Sequence, residues 1–185
     1  MKGQWTNVYS DNLPLRSWWV DSGSECEYVS IVLPEVFGIN HWIRSFSEKL
    51  AKQNVPVLAL PLYGRTAPKL DLSYREEDLK LGRHHKNLTT FKNIIEDVSA
   101  AINWVQEKYP KKKISIIGFC FGGHAALISA FPFGYLRASP SIVSEPTKTS
   151  CTSTGDSAAI EILGLISINA KTNAINKFFI MKLNF

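Results

Sequence analysis

The chain has 185 residues, of which 45% are hydrophobic and 20% are charged. This length suffices for one domain with a substantial buried core, and the composition is that of a globular protein. The net charge is only +5, and the one dense basic run, Lys111–Lys113, precedes an apolar segment. A solvated loop explains that run better than a nucleic-acid surface does. No apolar run approaches the ~18 residues of a membrane span, so we expect neither a nucleic-acid nor a membrane partner.

The cysteine count indicates a reducing compartment. Three cysteines are an odd number and too few for a disulfide framework, so at least one thiol is expected to be free. The N-terminus has no basic stretch followed by an apolar core, which a secretory signal would show. The sequence therefore predicts a cytoplasmic protein.

The first 20 residues predict an antiparallel β-hairpin at a sheet edge. Aromatic and apolar residues flank Asp11 and Asn12, which are turn residues. Trp18 and Trp19 follow one another on the second strand, so their side chains face opposite sides of the sheet. Core packing is therefore a better interpretation of this pair than ligand stacking.

Strand, helix and strand alternate in the next segment. Tyr28–Leu33 and residues 55–60 are apolar runs typical of buried strands. Asn40 can cap a helix between them. The apolar face of that helix would be formed by Ile43, Phe46 and Leu50. This order predicts a right-handed parallel crossover, and hence an α/β fold.

A long polar connection follows, from residue 61 to residue 87, with a short helix predicted at 75–81. Connections of this length in compact domains are usually functional or mobile. The next helix is expected to begin after Asn87 or a following threonine, and Pro110 ends it. Its apolar face contains Phe91, Ile94, Ile95, Val98, Ala101, Ile102 and Val105.

A thiol between glycines follows the most apolar strand. The strand Ile114–Ile117 ends at Gly118, Cys120 comes next, and a helix is predicted over 122–130. This is the G-x-nucleophile-x-G pattern of a nucleophile elbow, in which glycines permit a strained turn and a close neighbouring chain. The N–H groups and dipole of the helix would favour a thiolate. Tight strand–helix packing without chemistry is the alternative.

Two upstream stretches complete a family pattern. Residues 31–38 read Ile-Val-Leu-Pro-Glu-Val-Phe-Gly, and residues 61–68 read Pro-Leu-Tyr-Gly-Arg-Thr-Ala-Pro. Together with Gly-Phe-Cys-Phe-Gly-Gly at the elbow, they resemble the dienelactone hydrolase family, whose members carry a G-x-C-x-G-G elbow and a P-E-x-F/W-G turn. The resemblance runs from about residue 5 to residue 131. It implies an α/β-hydrolase-like, mostly parallel sheet with helices on both faces.

The resemblance also implies the roles of site residues. In the family, the glutamate of the turn contacts the thiol and helps to generate the thiolate, and here that residue is Glu35. Arg65 matches the arginine that recognises the substrate carboxylate, and Tyr63 is expected to line the pocket. The backbone N–H groups of Phe121 and Val36 are the expected oxyanion donors. An exposed loop carboxylate and a surface ion pair are the alternatives for Glu35 and Arg65.

The family's later aspartate and histidine have no evident counterpart. The only aspartate after Cys120 is Asp156, which lies nearer to the nucleophile than the family pattern expects, and no histidine follows His124. His124 is expected to pack against the sheet. Three other histidines remain, of which the first is expected to be solvated and the others could reach the site only if the polar connection folds over it: His41, His84 and His85.

The chain changes character after residue 131. Residues 144–157 are rich in serine and threonine, and only 160–166 and 178–181 could add strands. This is the pattern of a truncated or frame-shifted family member, with a core over 1–131, a divergent tail and incomplete C-terminal strands. An apolar strand edge left open beside the elbow would be an aggregation hazard.

The sequence therefore predicts an ester or lactone hydrolase with Cys120 as nucleophile, acting on a small substrate that carries a carboxylate. No cofactor or metal is implied, and the oligomeric state is not predicted. Activity would be impaired where the acid and histidine are missing. Two alternatives stay open: a ligand-binding pseudoenzyme that keeps the pocket, and a redox protein in which Cys120 is oxidised.

Overall fold

One mixed β-sheet with helices on both faces forms the fold. The computed structural model describes residues 1–23 and 25–130, and the strands at 149–150, 160–162 and 178–183. In chain order the elements are β1 Gln4–Ser10, β2 Leu13–Val20, β3 Tyr28–Leu33, α1 His41–Ala51, β4 Val57–Ala59, α2 Glu76–Leu88, α3 Phe91–Lys108, β5 Lys113–Phe119, α4 Phe121–Ala130, β6 Thr149–Ser150, β7 Ile160–Ile162 and β8 Phe178–Leu183.

The parallel part of the sheet lies at its centre. The strand order is β1-β2-β4-β3-β5-β8-β7-β6. Strand β3 pairs in parallel with β4 on one side and with β5 on the other, whereas the pairings further out are antiparallel. The β3–α1–β4 crossover agrees with the alternation in the sequence. Because the ends of β3 and β5 lie side by side, the segments that follow them meet at one edge of the sheet.

The N-terminal hairpin forms as predicted. Strands β1 and β2 pair through a two-residue turn in which Asp11 and Asn12 have φ of 47° and 63°. Two positive φ values give the turn the twist that hairpin strands require. Trp18 and Trp19 lie on opposite faces of the sheet, as expected, and Trp19 is buried 5.1 Å from the ring of Trp104.

Two hydrophobic clusters hold the helices against the sheet. On one face, α3 and α4 pack against the inward side chains of β2, β3, β4 and β5. The fully buried members include Leu15, Ile31, Leu58, Ile94 and Ile114. On the other face, α1 packs through Ile43, and Asn40 caps this helix by accepting a hydrogen bond from the Ile43 N–H at 3.1 Å. Each fully buried aliphatic side chain contributes about 1.5–3 kcal/mol.

Helix α2 corrects the sequence analysis. A short helix was predicted at 75–81, but α2 continues to Leu88 and carries both His84 and His85. Three acidic residues, Glu76, Glu77 and Asp78, occupy its first turn, where they interact favourably with the helix dipole. No proline interrupts the strong helix formers that follow, so the polar composition that favoured a loop hides a surface helix.

The C-terminal segment supplies a neighbour for the elbow strand. Strand β8 pairs antiparallel with β5, which therefore has a strand on each side. The open edge that incomplete strands would leave beside the elbow is absent from the described sheet. Strands at 160–162 and 178–183 fall where the sequence allowed them. Asp156 and most of the run 144–157 lie outside the described residues, and the division near residue 131 stays a prediction.

In the described parts of the chain, none of the helices combines the length and the apolar character that crossing a bilayer requires.

Candidate active site

Cys120 stands in the turn between β5 and α4. Strand β5 ends at Phe119 and α4 begins at Phe121, so one residue makes the connection. The φ of Cys120 is 51°, in the left-handed region, and its side chain is exposed. Residues other than glycine rarely adopt this backbone conformation, and backbone strain of this kind concentrates at functional sites. The thiol is thus presented at the surface, beside the N-terminus of a helix.

Two glycines let the elbow pack closely, Gly122 against the end of β3 and Gly118 against the start of α4. A Cβ atom on Gly122 would overlap the carbonyl of Leu33 and lie 2.6 Å from the oxygen of Pro34. A Cβ atom on Gly118 would lie 2.5 Å from the backbone nitrogen of Gly123. Neither obstacle is a flexible side-chain end, so a larger residue would force the backbone to move. The elbow therefore seats directly against the turn that follows β3.

That turn carries the other predicted oxyanion donor. The N–H of Gly38 donates to the carbonyl of Glu35 at 3.3 Å, which closes the turn, and Val36 is buried. The carbonyl of Val36 packs against Gly82 of α2. A Cβ atom on Gly82 would overlap this carbonyl. Val36 belongs to the turn after β3, and Phe121 belongs to the elbow that packs against the start of that turn. Their role as oxyanion donors stays a prediction.

Glu35 is half-buried and bound by a residue that the sequence did not single out. Burial raises the pKa of Glu35, and its carboxylate accepts a hydrogen bond from Tyr74 Oη at 3.4 Å. Within the described residues no hydrogen bond joins Glu35 to Cys120. Tyr74 also packs edge-on against Phe37, 4.7 Å between ring centroids. No local pattern could reveal Tyr74, because it lies 39 residues along the chain from its partner.

Tyr63 packs against the elbow. Its side chain is 2% exposed and stacks on Phe121, with centroids 6.1 Å apart and an interplanar angle of 11°. Burial raises the pKa of Tyr63, and the charge of Cys120 raises it further, so the two side chains are within electrostatic reach. The hydroxyl Oη is buried and has no hydrogen-bond partner in the described structure. That Tyr63 lines a substrate pocket stays a prediction.

Arg65 contacts α3 and the end of β1 rather than the elbow. Its guanidinium donates to Asp97 Oδ1 through both Nε, at 3.2 Å, and Nη2, at 2.8 Å, and also to Ser10 and Glu96. Asp97 is buried on α3, and Ser10 ends β1. The sequence analysis assigned Arg65 to the substrate carboxylate. Its contacts favour the ion-pair alternative, because they tie the turn after β4 to α3 and the hairpin.

The histidines are distributed differently from expectation. His124 does not pack against the sheet: it is exposed, 5.5 Å from the ring of Phe91, because the buried face of α4 is formed by Ala125, Ala126 and Ser129.

His41 begins α1 and is exposed, as expected. His85 is half-buried on α2, with its ring 6.2 Å from Tyr63. Its Nδ1 is buried and without a hydrogen-bond partner among the described residues.

A hollow of about 540 Å³ lies at the opposite edge of the sheet. It is lined by Asp21, Gly23, Lys108, Tyr109, Pro110 and Lys112. These residues follow β2 or precede β5, whereas Cys120 follows β5. The hollow is therefore separate from the elbow and its neighbours.

Comparison with known proteins identifies the family. The family model described as "Dienelactone hydrolase family" matches residues 20–154. A Synechocystis protein, provisionally named as a carboxymethylenebutenolidase, is 31% identical over 126 residues, which cover 66% of this chain and 51% of the relative. The carboxymethylenebutenolidase of Pseudomonas putida is 28% identical over 105 residues, covering 55% of this chain and 44% of the relative. The chain thus spans about half the length of these relatives.

A solved structure supports the fold. A provisionally assigned dienelactone hydrolase from Klebsiella pneumoniae superposes with a TM-score of 0.59 at 20% identity, over 69% of this chain and 53% of that one. At this identity the likeness concerns architecture alone, and it confirms the α/β-hydrolase class predicted from the sequence. With the sheet, the elbow and the family match in agreement, the chain belongs to the dienelactone hydrolase family.

Proposed function

We propose that this chain hydrolyses an ester or lactone with Cys120 as the nucleophile. One observation carries the proposal: an exposed thiol held at a positive φ between β5 and α4, in a turn where Gly122 packs against the end of β3 and Gly118 packs against the start of α4. Membership of a family whose curated relatives are carboxymethylenebutenolidases supports the reaction class. A small lactone that carries a carboxylate is the proposed substrate.

The proposed reaction proceeds through a thioester. The thiolate attacks the carbonyl carbon, so a C–S bond forms while the carbonyl oxygen takes up negative charge. The N–H groups of Phe121 and Val36 are the proposed donors to that oxygen. The C–O bond then breaks and the alkoxide leaves with the proton that the thiol gave up, after which water splits the thioester into the carboxylic acid and the free thiol.

Glu35 is proposed to help generate the thiolate. Burial raises the pKa of Glu35, and a carboxylate with a raised pKa is a better proton acceptor than an exposed one. The hydrogen bond from Tyr74 holds this carboxylate in the turn next to the elbow. The contacts of Arg65 give no support to carboxylate recognition by that residue, and the proposal assigns it no contact with the substrate.

Two free thiols support a reducing location such as the cytoplasm. Cys26 is buried and Cys120 is exposed, and neither forms a disulfide among the described residues. The exposure of Cys120 also favours a second candidate function, in which the thiol is oxidised or alkylated without any acyl transfer.

Hydrolysis of p-nitrophenyl acetate by the full chain tests the proposal, with Cys120→Ala and Cys26→Ala as the matched pair of thiol variants. We expect sustained turnover that Cys120→Ala reduces by about a thousandfold or more and that Cys26→Ala leaves intact, since Cys26 is buried and burial raises its pKa.

Other outcomes would contradict the hydrolase proposal. A burst of one equivalent without turnover indicates a pocket that acylates and stops, as in a pseudoenzyme. Rapid alkylation of Cys120 by iodoacetamide without any reaction with the ester favours the redox function.

A further inference from the structure

Two buried polar atoms beside the elbow lack partners. Tyr63 Oη and His85 Nδ1 make no hydrogen bond in the described part of the chain, and both atoms are buried. Buried polar groups are normally satisfied, so an orphaned pair at one place calls for an explanation such as a catalytic role. Neither atom takes part in the steps proposed above.

The fold places both side chains on the same side of the elbow, in contact through their rings. Helix α2 crosses the turn after β3, where Gly82 packs against the carbonyl of Val36. His85 is three residues further on the same helix, so it faces the same side, and its ring lies 6.2 Å from that of Tyr63. Tyr63 in turn stacks on Phe121, the residue after Cys120. A continuous set of contacts therefore leads from the elbow through Tyr63 to His85.

We propose that Tyr63 and His85 relay the proton of Cys120 as a second and faster route beside Glu35, a role that rests on the proposed hydrolase function. The S–H bond breaks as its proton moves to Tyr63 Oη, while the proton of that hydroxyl moves to His85 Nδ1. The products are a thiolate and an imidazolium, with Tyr63 unchanged overall. When the C–O bond of the ester breaks, the reverse transfer delivers the proton to the departing alkoxide. Water repeats the sequence as it hydrolyses the thioester.

The surroundings of both groups fit this role. Burial, and then the charge of Cys120, raise the pKa of Tyr63, so its hydroxyl remains protonated and able to donate at neutral pH. Catalytic hydrogen bonds are often long before the substrate binds, so the separation of the two rings leaves room for closure.

His124 also lies near the elbow, in the first turn of α4, with its ring 6.3 Å from that of Phe121 and 5.5 Å from that of Phe91. Its side chain is exposed, and neither of its nitrogens is among the buried atoms that lack a partner in the described structure. The relay therefore uses a histidine that reaches the site from α2, in a segment that precedes the nucleophile in the chain.

Four variants test the relay, each measured in the full chain. Tyr63→Phe and His85→Ala remove the two polar atoms. His84→Ala removes the exposed neighbouring histidine, and Tyr109→Phe removes the hydroxyl of another buried tyrosine, which donates to Asp21 at 2.6 Å beside the distant hollow. The readouts are the rate of acylation by p-nitrophenyl acetate and the rate of alkylation of Cys120 by iodoacetamide at neutral pH.

We expect Tyr63→Phe and His85→Ala each to slow acylation by about a hundredfold, and the double variant to lose no more than His85→Ala alone. Both should also slow alkylation, whereas His84→Ala and Tyr109→Phe should leave both rates unchanged. Imidazole added to His85→Ala should restore much of the acylation rate and should have no effect on wild type. Rescue of this kind excludes loss of folding as the cause.

The relay is overturned if Tyr63→Phe and His85→Ala react like wild type, or if their losses multiply in the double variant. A loss in His85→Ala that imidazole does not restore also counts against it. Failure of the hydrolase proposal is distinguishable, because ester turnover would then be equal in wild type and Cys120→Ala. Alkylation needs no turnover, so unchanged alkylation in Tyr63→Phe and His85→Ala disproves the relay in that case too.

Discussion

At the scale of single residues, the conformation of Cys120 links stability to function. A left-handed φ of 51° costs a residue with a Cβ atom roughly 1–2 kcal/mol, a cost that glycine avoids. The chain nevertheless places a thiol there, at the one position between β5 and α4. Strain tolerated at an exposed turn is consistent with selection for the side chain rather than for the backbone.

This strain can be measured by comparing Cys120→Gly with Cys120→Ala. Both variants lack the thiol, but only alanine keeps the Cβ atom at positive φ. We expect the glycine variant to be the more stable by about 1 kcal/mol in urea unfolding. An alanine variant as stable as the glycine variant would show that the turn is not strained.

We expect Glu35 to lower the stability of the fold at neutral pH while it promotes acylation. Burial raises its pKa in the folded state above the ordinary 4.5, so folding favours the protonated form. The contribution of protonated Glu35 to the free energy of unfolding is therefore fully present below pH 4.5. It is lost as the pH rises through the folded-state pKa. Glu35→Gln should thus be more stable than wild type at neutral pH, with the difference vanishing below pH 4.5, while acylation slows.

Urea unfolding at the two pH values measures this difference, with the exposed Glu107→Gln as the control. A glutamine variant that is less stable than wild type at neutral pH would mean that the hydrogen bond from Tyr74 outweighs the burial of the carboxylate. That result would contradict the raised pKa of Glu35.

The residues of the site were only partly predictable from sequence. The elbow pattern locates Cys120 and Phe121, and the family likeness adds Glu35 and Val36, because these lie within short local motifs. Tyr74 could not be found in this way. Its hydrogen bond to Glu35 depends on how α2 and its preceding loop fold back over the turn, which no local spacing encodes.

At the scale of secondary-structure elements, Arg65 holds three parts of the chain together. Its guanidinium joins the turn after β4 to Asp97 on α3 and to Ser10 at the end of β1. Hydrogen bonds between charged groups contribute about 1.5–3 kcal/mol where a partner is buried, as Asp97 is. We expect Arg65→Ala to destabilise the fold by roughly 2 kcal/mol, since the arginine is itself partly exposed.

The same variant separates the two interpretations of Arg65. If Arg65 has a structural role, Arg65→Ala lowers the unfolding midpoint. The ratio of kcat/KM for an ester that carries a carboxylate to kcat/KM for a neutral ester then stays the same. Loss of that ratio at unchanged stability would restore the family role of carboxylate recognition.

Elements with strong local signals were predicted well. The Asp11–Asn12 turn, the cap at Asn40 and the apolar strands before Pro34 and Gly118 each have a physical signature within a few residues. Helix α2 was underestimated because it is polar and its contacts with the turn after β3 are made through Gly82, a residue that weakens a helix in isolation. The helix formers of this segment and the packing of Gly82 against the turn together extend the helix over the site.

At the scale of the whole molecule, the sheet is completed around β5 by chain from the C-terminal segment. The family match covers residues 20–154, and the chain spans about half the length of its curated relatives. Strand β8 lies beside the elbow strand in antiparallel orientation, which no periodicity in the sequence could specify. The apolar character of 178–181 shows only that a strand can form there.

Ending the chain before Phe178 removes β8 and exposes the edge of β5. Because an unpaired apolar edge promotes association, we expect this variant to form soluble oligomers or aggregates in size-exclusion chromatography. A chain that ends after Leu183 keeps β8 and is the control. A monodisperse variant without β8, eluting like the control, would contradict the observed pairing.

The central claim is that Cys120 is the acyl acceptor, and trapping the acyl group tests it most directly. The full chain is mixed with p-nitrophenyl acetate, quenched in acid within the first turnover, digested and analysed by mass spectrometry. We expect the acetyl group on the peptide that contains Cys120, and none on Cys26 or in the Cys120→Ala variant. An acetyl group found only on other side chains, or equally in Cys120→Ala, would contradict the account.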